Sequence, residues 1–110
     1  MARTYRLGRE SFATKDLARQ RVSAILNAGP IGSEVTGLDV LILYDLLALR
    51  TDKQAELQGR SVQGFVRGIQ PGDMKRTRCF WAVLDNETRI HFSVYKALRL
   101  LEPDSQHAAG

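Results

Sequence analysis

Cations and an aromatic ring alternate near the carboxyl end of the chain in a pattern that could bind a polyanion. Arg78, Phe80, Arg89 and His91 fall on one face of a hairpin if its strands are joined by a turn at Asp85-Asn86. Arginine makes bidentate hydrogen bonds to phosphate oxygens, and an aromatic ring stacks on a base. Such a face can therefore bind nucleic acid. The alternative is that a helix or the first strand covers Phe80 and leaves the arginines at the rim.

Two further groups of residues extend this basic character. Lys75 and Arg76 lie in a turn just before Arg78. Loops tipped with arginine and lysine often contact phosphate backbones, although short basic turns are also common on soluble surfaces. Tyr95 can supply a second ring for stacking. The predicted nucleic-acid site comprises Lys75, Arg76, Arg78, Phe80, Arg89, His91, Tyr95, Lys96 and Arg99.

Residues that could support catalysis or bind a metal do not form a recognisable site. Ser93 lies between a predicted strand and a helix, where serine is favoured as an N-cap, so we interpret it as a cap rather than a nucleophile. His91 and His107 are far apart and do not have the spacing of a zinc site with the single Cys79. Paired carboxylates on one element and phosphate-binding glycine loops are absent. We therefore predict a protein that is not an enzyme and holds no cofactor or metal.

The charge balance favours an acidic partner. The chain has 16 Lys and Arg against 12 Asp and Glu, a formal net charge of +4, and 12 of the cations are arginine. This balance is typical of proteins that bind nucleic acid or an acidic protein. A basic surface that is merely solvated would have the same composition.

The length and the cysteine count indicate one domain in a reducing compartment. The 110 residues suit a single domain, which we place at residues 1–103, followed by a disordered tail at 104–110. One cysteine cannot form an internal disulfide, which favours the cytoplasm. No apolar run approaches the roughly 20 residues that cross a membrane, so we expect no membrane partner.

Apolar periodicity predicts the elements that must position these residues. Residues 3–10 read as a first strand, and Thr14 and Thr36 as the caps of two helices. Strands are predicted at 62–69, 78–84 and 88–92, and a last helix follows Ser93. The prediction is an α+β fold in the order β-α-α-β-β-β-α, a small antiparallel sheet of three to four strands packed with three helices. The hairpin is expected to turn Cys79, Trp81, Val83, Ile90 and Phe92 inward.

The second helix is apolar nearly all round. Besides its first apolar stripe it carries a second one, formed by Val40, Leu43 and Leu47. Such a helix is either central to the core or shared with a partner chain. Asp45 lies among the apolar positions, and we expect it to make a hydrogen bond to a cap or an arginine rather than to act in catalysis.

Short motifs along most of the chain resemble a known family. Residues 77–83 read Thr-Arg-Cys-Phe-Trp-Ala-Val, Asp85-Asn86 follow, and residues 91–98 read His-Phe-Ser-Val-Tyr-Lys-Ala-Leu. Together with residues 12–16 at the entry to the first helix and the leucine-rich second helix, they resemble the domain named for defective chloroplasts and leaves (DCL-like).

The resemblance implies a role with RNA and no established enzymatic activity. Plant members are linked to maturation of chloroplast ribosomal RNA, and a related domain lies at the end of the largest subunit of a plant RNA polymerase. The chain departs from the family at His91, Ala97 and Asn86, where the family has aspartate, cysteine and glycine. Any function carried by those positions is expected to be altered.

Two hypotheses about function follow. The first is a non-enzymatic module that binds RNA, connected by the resemblance with ribosomal RNA maturation or transcription. The second is a protein–protein adaptor or homodimer that docks through Val40, Leu43 and Leu47. An RNA module would lose affinity steeply as salt is raised, whereas the homodimer would self-associate.

Overall fold

The computed structural model describes residues 4–72 and 74–103, and it has the predicted α+β fold. The predicted tail at 104–110 lies outside the described residues. The elements in chain order are β1 (Tyr5–Leu7), β2 (Glu10–Phe12), α1 (Lys15–Asn27), α2 (Asp39–Leu49), α3 (Thr51–Leu57), β3 (Val62–Ile69), β4 (Arg78–Leu84), β5 (Arg89–Phe92) and α4 (Val94–Leu100). Within the described residues, no helix is long and apolar enough to cross a membrane.

The predicted first strand is a two-stranded hairpin of its own. β1 and β2 pair with each other in a sheet separate from β3, β4 and β5. Gly8 adopts a φ of 60° in the turn, and its amide donates a hydrogen bond of 2.6 Å to the Asp45 carboxylate on α2. Asp45 therefore has a structural role, as expected, but its partner is a turn amide. A Cβ at Gly8 would lie 3.1 Å from the Ile42 nitrogen, so this turn needs glycine.

Helix α1 is capped at both ends by side chains. Thr14 accepts the amide of Leu17 at 3.2 Å, which confirms it as the N-cap. At the carboxyl end, Arg67 donates to the Ile25 carbonyl at 2.8 Å and Arg78 donates to the Leu26 carbonyl at 3.0 Å. The last turn of a helix leaves carbonyl oxygens unpaired, and these two guanidinium groups satisfy them. Arg78 is thus half-buried in a structural role rather than free to contact phosphate.

Helix α2 lies in the centre of the core. Leu43 and Leu47 are 0% and 2% exposed, although they were predicted to form a partner face with Val40. They pack with residues of α1, α4 and the sheet in one cluster, and Val40 packs against its edge. The adaptor hypothesis through these three residues is wrong, because the chain buries this stripe against itself. The expected cap Thr36 is also wrong, since α2 begins at Asp39 and Leu38 stands at its N-cap position.

A helix that the sequence did not reveal follows α2 directly. α3 is polar except for Ala55 and Leu57, and Leu57 packs against Leu84 and Ile90. The junction of α2 and α3 is held by Arg50, which is 6% exposed. Its guanidinium donates two hydrogen bonds to the Asp52 carboxylate, at 3.0 and 2.8 Å, and a third to the Ser93 carbonyl at 3.1 Å. One arginine therefore ties α3 to the start of α4.

The three-stranded sheet β3-β4-β5 has a register that differs from the prediction by one residue. Phe80 pairs with Phe92, and Trp81 pairs with His91. Three residues separate Leu84 from Thr88, whose carbonyl accepts the Leu84 amide at 2.8 Å, and Glu87 in this turn takes a left-handed φ of 68°. When the register of a strand shifts by one residue, each of its side chains moves to the opposite face of the sheet relative to the partner strand.

The register places Phe80 in the core and Trp81 on the opposite face. Phe65, Phe80 and Phe92 pack together on the inner face, with ring centroids 5.8 and 6.4 Å apart. α1, α2 and α4 contribute to the same core cluster, so the helices cover this inner face. The prediction that Phe80 stacks on a base is therefore wrong, because its side chain is 0% exposed. The expected inward position of Trp81 and Val83 is wrong as well, since both are partly exposed.

Candidate nucleic-acid interface

The outer face of the three-stranded sheet carries an aromatic pair. The Trp81 and His91 rings lie with centroids 5.1 Å apart, and both side chains are partly exposed. The Trp81 indole N–H donates to the Ile69 carbonyl at 3.3 Å, which fixes one edge of the ring. The ring lies over Gly68, where a Cβ would come within 2.5 Å of the indole nitrogen. The glycine therefore leaves the space that lets the indole lie against the strand.

His91 joins this face to a group of cations. The pKa of His91 is lowered from its usual value, first by burial and then by the positive charge of Lys53. Lys53 projects from α3 and is itself paired with Glu56 at 3.0 Å. The histidine ring is therefore neutral near pH 7 and can offer one N–H donor.

A small pocket lies beside His91. It has a volume of about 100 Å³, and its lining comes from the junction of α2 and α3, the end of β3, β5 and the start of α4. The lining residues are Arg50, Lys53, Gln70, His91, Phe92, Ser93 and Lys96. None of them is acidic and three are cations, of which Arg50 and Lys53 are paired with Asp52 and Glu56 outside the lining.

A second concavity lies between α1 and α4. It has a volume of about 510 Å³ and is lined by Lys15, Asp16, Arg19, Tyr95, Leu98 and Arg99. Lys15 donates to the Arg99 carbonyl at 3.3 Å, and Arg19 pairs with Asp16 at 2.8 Å. The groove thus combines a partly exposed tyrosine with cations.

Helix α4 connects the pocket with the groove. Lys96 lines the pocket and Arg99 lines the groove, and residues three apart on a helix are neighbours on its surface. Of the nine predicted residues, His91 and Lys96 therefore line the pocket, and Tyr95 and Arg99 line the groove. Within residues 4–72 and 74–103, neither Lys96 nor Arg99 forms an ion pair through its side chain.

The other predicted cations flank this surface. Arg89 is exposed on β5, on the same face as His91. Lys75 and Arg76 are exposed in the loop between β3 and β4. That loop is closed by a hydrogen bond of 2.9 Å from the Gln70 amide to the Thr77 carbonyl, and the Gln70 residue also lines the pocket.

Sequence reasoning missed the residue at the centre of the interface. The sequence indicates a two-residue turn at Asp85-Asn86, which would place Trp81 in the core. Lys53 was missed because α3 was not recognised, and Lys15 and Arg19 were not connected with α4. A signal was present at Gly68, since glycine inside a strand often marks the close approach of another group.

The described part of the chain holds no cluster of three histidine, cysteine, aspartate or glutamate side chains that could bind a metal ion. Cys79 is buried, and burial raises the pKa of its thiol to about 11. A thiol of this kind is a poor nucleophile and a poor metal ligand.

Comparison with known proteins places the chain in a family. The model of a family described as "Protein of unknown function (DUF3223)" matches residues 23–98, more than two thirds of the chain. The chain belongs to the DUF3223 family. The matched region runs from within α1 to within α4 and includes both Trp81 and the pocket.

One solved structure has the same fold as this DUF3223 member. It is the solution NMR structure of an uncharacterised protein from Rhodospirillum rubrum, with a TM-score of 0.74 and 24% sequence identity. The match covers 88% of this chain and 89% of that one. A search of curated proteins found no match.

These findings correct the resemblance noted in the sequence. The family that matches is an uncharacterised one, and nothing in the comparisons indicates a DCL-like family. The expected link to chloroplast ribosomal RNA and to a plant RNA polymerase rested on that resemblance alone, and it is withdrawn with it.

Proposed function

We propose that the protein is a non-enzymatic module that binds single-stranded RNA on the outer face of its three-stranded sheet. The observation that carries the proposal is the Trp81–His91 pair, partly exposed and 5.1 Å apart, beside a pocket whose lining includes Lys53 and Lys96. The proposal concerns unpaired RNA, since only an unpaired base can stack on a ring that lies in a sheet.

The physical basis is stacking combined with neutralised phosphate charge. A base on an aromatic side chain contributes about 1–3 kcal/mol, and it does so for any base because every base has a flat π face. Arg89 on one side of His91 and Lys96 on the other are exposed and form no ion pair within the described residues. Their charges are therefore available to phosphates, and we propose modest sequence preference and strong salt dependence.

The proposed setting is the cytoplasm. The protein has a single thiol, Cys79, which stays reduced there. The proposed partner is an RNA strand rather than a second protein, because the stripe once predicted for protein docking is part of the core.

Fluorescence anisotropy of a labelled oligonucleotide tests the proposal. Single-stranded RNA should bind at low salt, and the logarithm of the binding constant should fall with the logarithm of salt concentration by about 0.7 per neutralised phosphate. Trp81→Ala should weaken binding roughly 5- to 150-fold, the equivalent of about 1–3 kcal/mol. Double-stranded RNA of the same sequence should bind more weakly, because its bases are already stacked.

Arg9→Gln is the matched control. Arg9 is exposed in the β1–β2 turn, which packs on the helices rather than on the outer sheet face, so its removal should leave the affinity within about twofold. Far-UV circular dichroism should show that the Trp81→Ala variant is folded. If single-stranded RNA does not bind the wild-type protein at low salt, the proposal is refuted.

A further inference from the structure

The pocket beside Trp81 has features that distinguish it from the rest of the basic surface. We propose that it receives a terminal phosphomonoester, so that the site binds the phosphorylated end of an RNA strand. This inference rests on the proposed function, and it adds the chemical class of the group that the site recognises.

The size of the pocket fits one group rather than a nucleoside. Its volume of about 100 Å³ is well below the roughly 300–1,000 Å³ of pockets that enclose whole small-molecule ligands. Its lining comes from four segments of the chain, with Lys53 and Gln70 on two of them and His91 and Lys96 on the other two. A pocket lined in this way suits the end of a chain, whereas an internal phosphate must leave room for nucleotides on both sides.

The charge of the pocket fits a phosphomonoester better than an internal phosphodiester. A monoester carries about −1.5 to −2 charges near pH 7, and an internal phosphate carries one. Lys96 forms no ion pair within the described residues, and Lys53 supplies a second positive charge that it shares with Glu56, a residue outside the pocket lining. The His91 ring and the side-chain amide of Gln70 add uncharged donors.

The pocket and the aromatic pair are close enough to serve one nucleotide. His91 both lines the pocket and lies 5.1 Å, ring centre to ring centre, from Trp81. A phosphate held at His91 therefore brings the attached nucleotide next to the indole ring. Arg89, on the same strand face as His91 but outside the pocket lining, can contact a neighbouring phosphate of the strand.

Three oligonucleotides of one sequence test the inference by competition in the anisotropy assay. They carry a 5′-phosphate, a 3′-phosphate or hydroxyl groups at both ends. One of the two phosphorylated strands should bind about tenfold tighter than the hydroxyl strand, the size of effect expected from added charge-assisted hydrogen bonds. The strand that is preferred identifies which end the pocket takes.

Two variants separate recognition in the pocket from general attraction of charge. Lys96→Gln should remove the preference for the phosphorylated strand, because Lys96 lines the pocket and is exposed. Arg89→Gln removes one charge from the same face outside the pocket, so it should weaken all three strands and leave the preference intact.

The outcomes distinguish this inference from the proposed function. Equal binding of the three strands to the wild-type protein overturns the phosphate pocket and leaves the RNA module standing. An equal loss of preference in the two variants overturns the pocket as well. Failure of every strand to bind at low salt overturns both proposals.

Discussion

A single methyl group at Gly68 should disturb the interface more than any other change of its size on the sheet. In Gly68→Ala the new Cβ would come within 2.5 Å of the Trp81 indole nitrogen, about 1 Å closer than an ordinary contact. The ring must swing away and lose its hydrogen bond to the Ile69 carbonyl. The lost hydrogen bond costs about 1 kcal/mol and the steric crowding adds to this cost. We therefore expect the free energy of unfolding to fall by about 1–2 kcal/mol.

Urea unfolding followed by circular dichroism measures this loss. A destabilisation of about 1–2 kcal/mol corresponds to a fall of about 1 M in the urea midpoint for a domain of this size. The emission of Trp81, the one tryptophan of the chain, should shift to longer wavelength in the folded variant because the displaced ring is more solvated. The affinity of the Gly68→Ala variant for RNA should also be lower than that of the wild-type protein.

Gly64→Ala is the matched control on the same strand and the same face. A Cβ at Gly64 would meet nothing within 4 Å, so its effect on stability should stay within about 0.5 kcal/mol. Equal stabilities and equal emission spectra for the two alanine variants would refute the reasoning, because they would mean that the indole does not lie over Gly68.

Three further predictions concern the groups that hold the fold together. Arg67→Met should cost about 3 kcal/mol in urea unfolding, because it removes a buried guanidinium that donates to the Ile25 carbonyl, the Glu34 carbonyl and the Ser33 hydroxyl; a cost below about 1 kcal/mol would contradict this. The hydrogen bond from Arg50 lowers the pKa of Asp52 to about 2, so its contribution to stability is present above about pH 4 and is lost as the pH falls towards 2. Asp52→Asn should therefore flatten the stability–pH profile in that window, and an unchanged profile would refute the linkage. Burial raises the pKa of the Cys79 thiol to about 11. The protonated thiol therefore contributes its full stability below about pH 9, and that contribution is lost as the pH rises towards 11. A thiol-specific disulfide reagent should react slowly at pH 8 in the native state and rapidly in urea; equal rates would show that Cys79 is accessible.

The helices that the sequence predicted well are those with a local signal at the start. Thr14 and Ser93 both accept amide hydrogen bonds from the residue three positions on, as their place before an apolar stripe indicated. α2 was predicted to be apolar nearly all round, and the choice between core and partner face could only be settled by what surrounds it. α3 has no such pattern, because its one buried side chain is Leu57 and its N-cap residue is Arg50, whose side chain binds the distant Ser93 carbonyl.

The candidate site depended on the strand register, which was the weakest part of the prediction. A two-residue turn and a three-residue turn at Asp85 differ by one position, and that difference decides whether Phe80 or Trp81 faces the helices. The left-handed conformation at Glu87 makes the longer loop, and glutamate carries no sequence signal for it. The cations of α4 were predicted from sequence, but their connection with Lys15 and Lys53 required the packing of α1 and α3.

The emission of Trp81 during titration with an unlabelled single-stranded oligonucleotide tests the central claim most directly, because no other tryptophan contributes to the signal. Stacking of a base on the indole predicts strong, saturable quenching at low salt that is reversed as salt is raised. RNA that binds by anisotropy and leaves the tryptophan emission unchanged would show that the strand lies elsewhere on the surface.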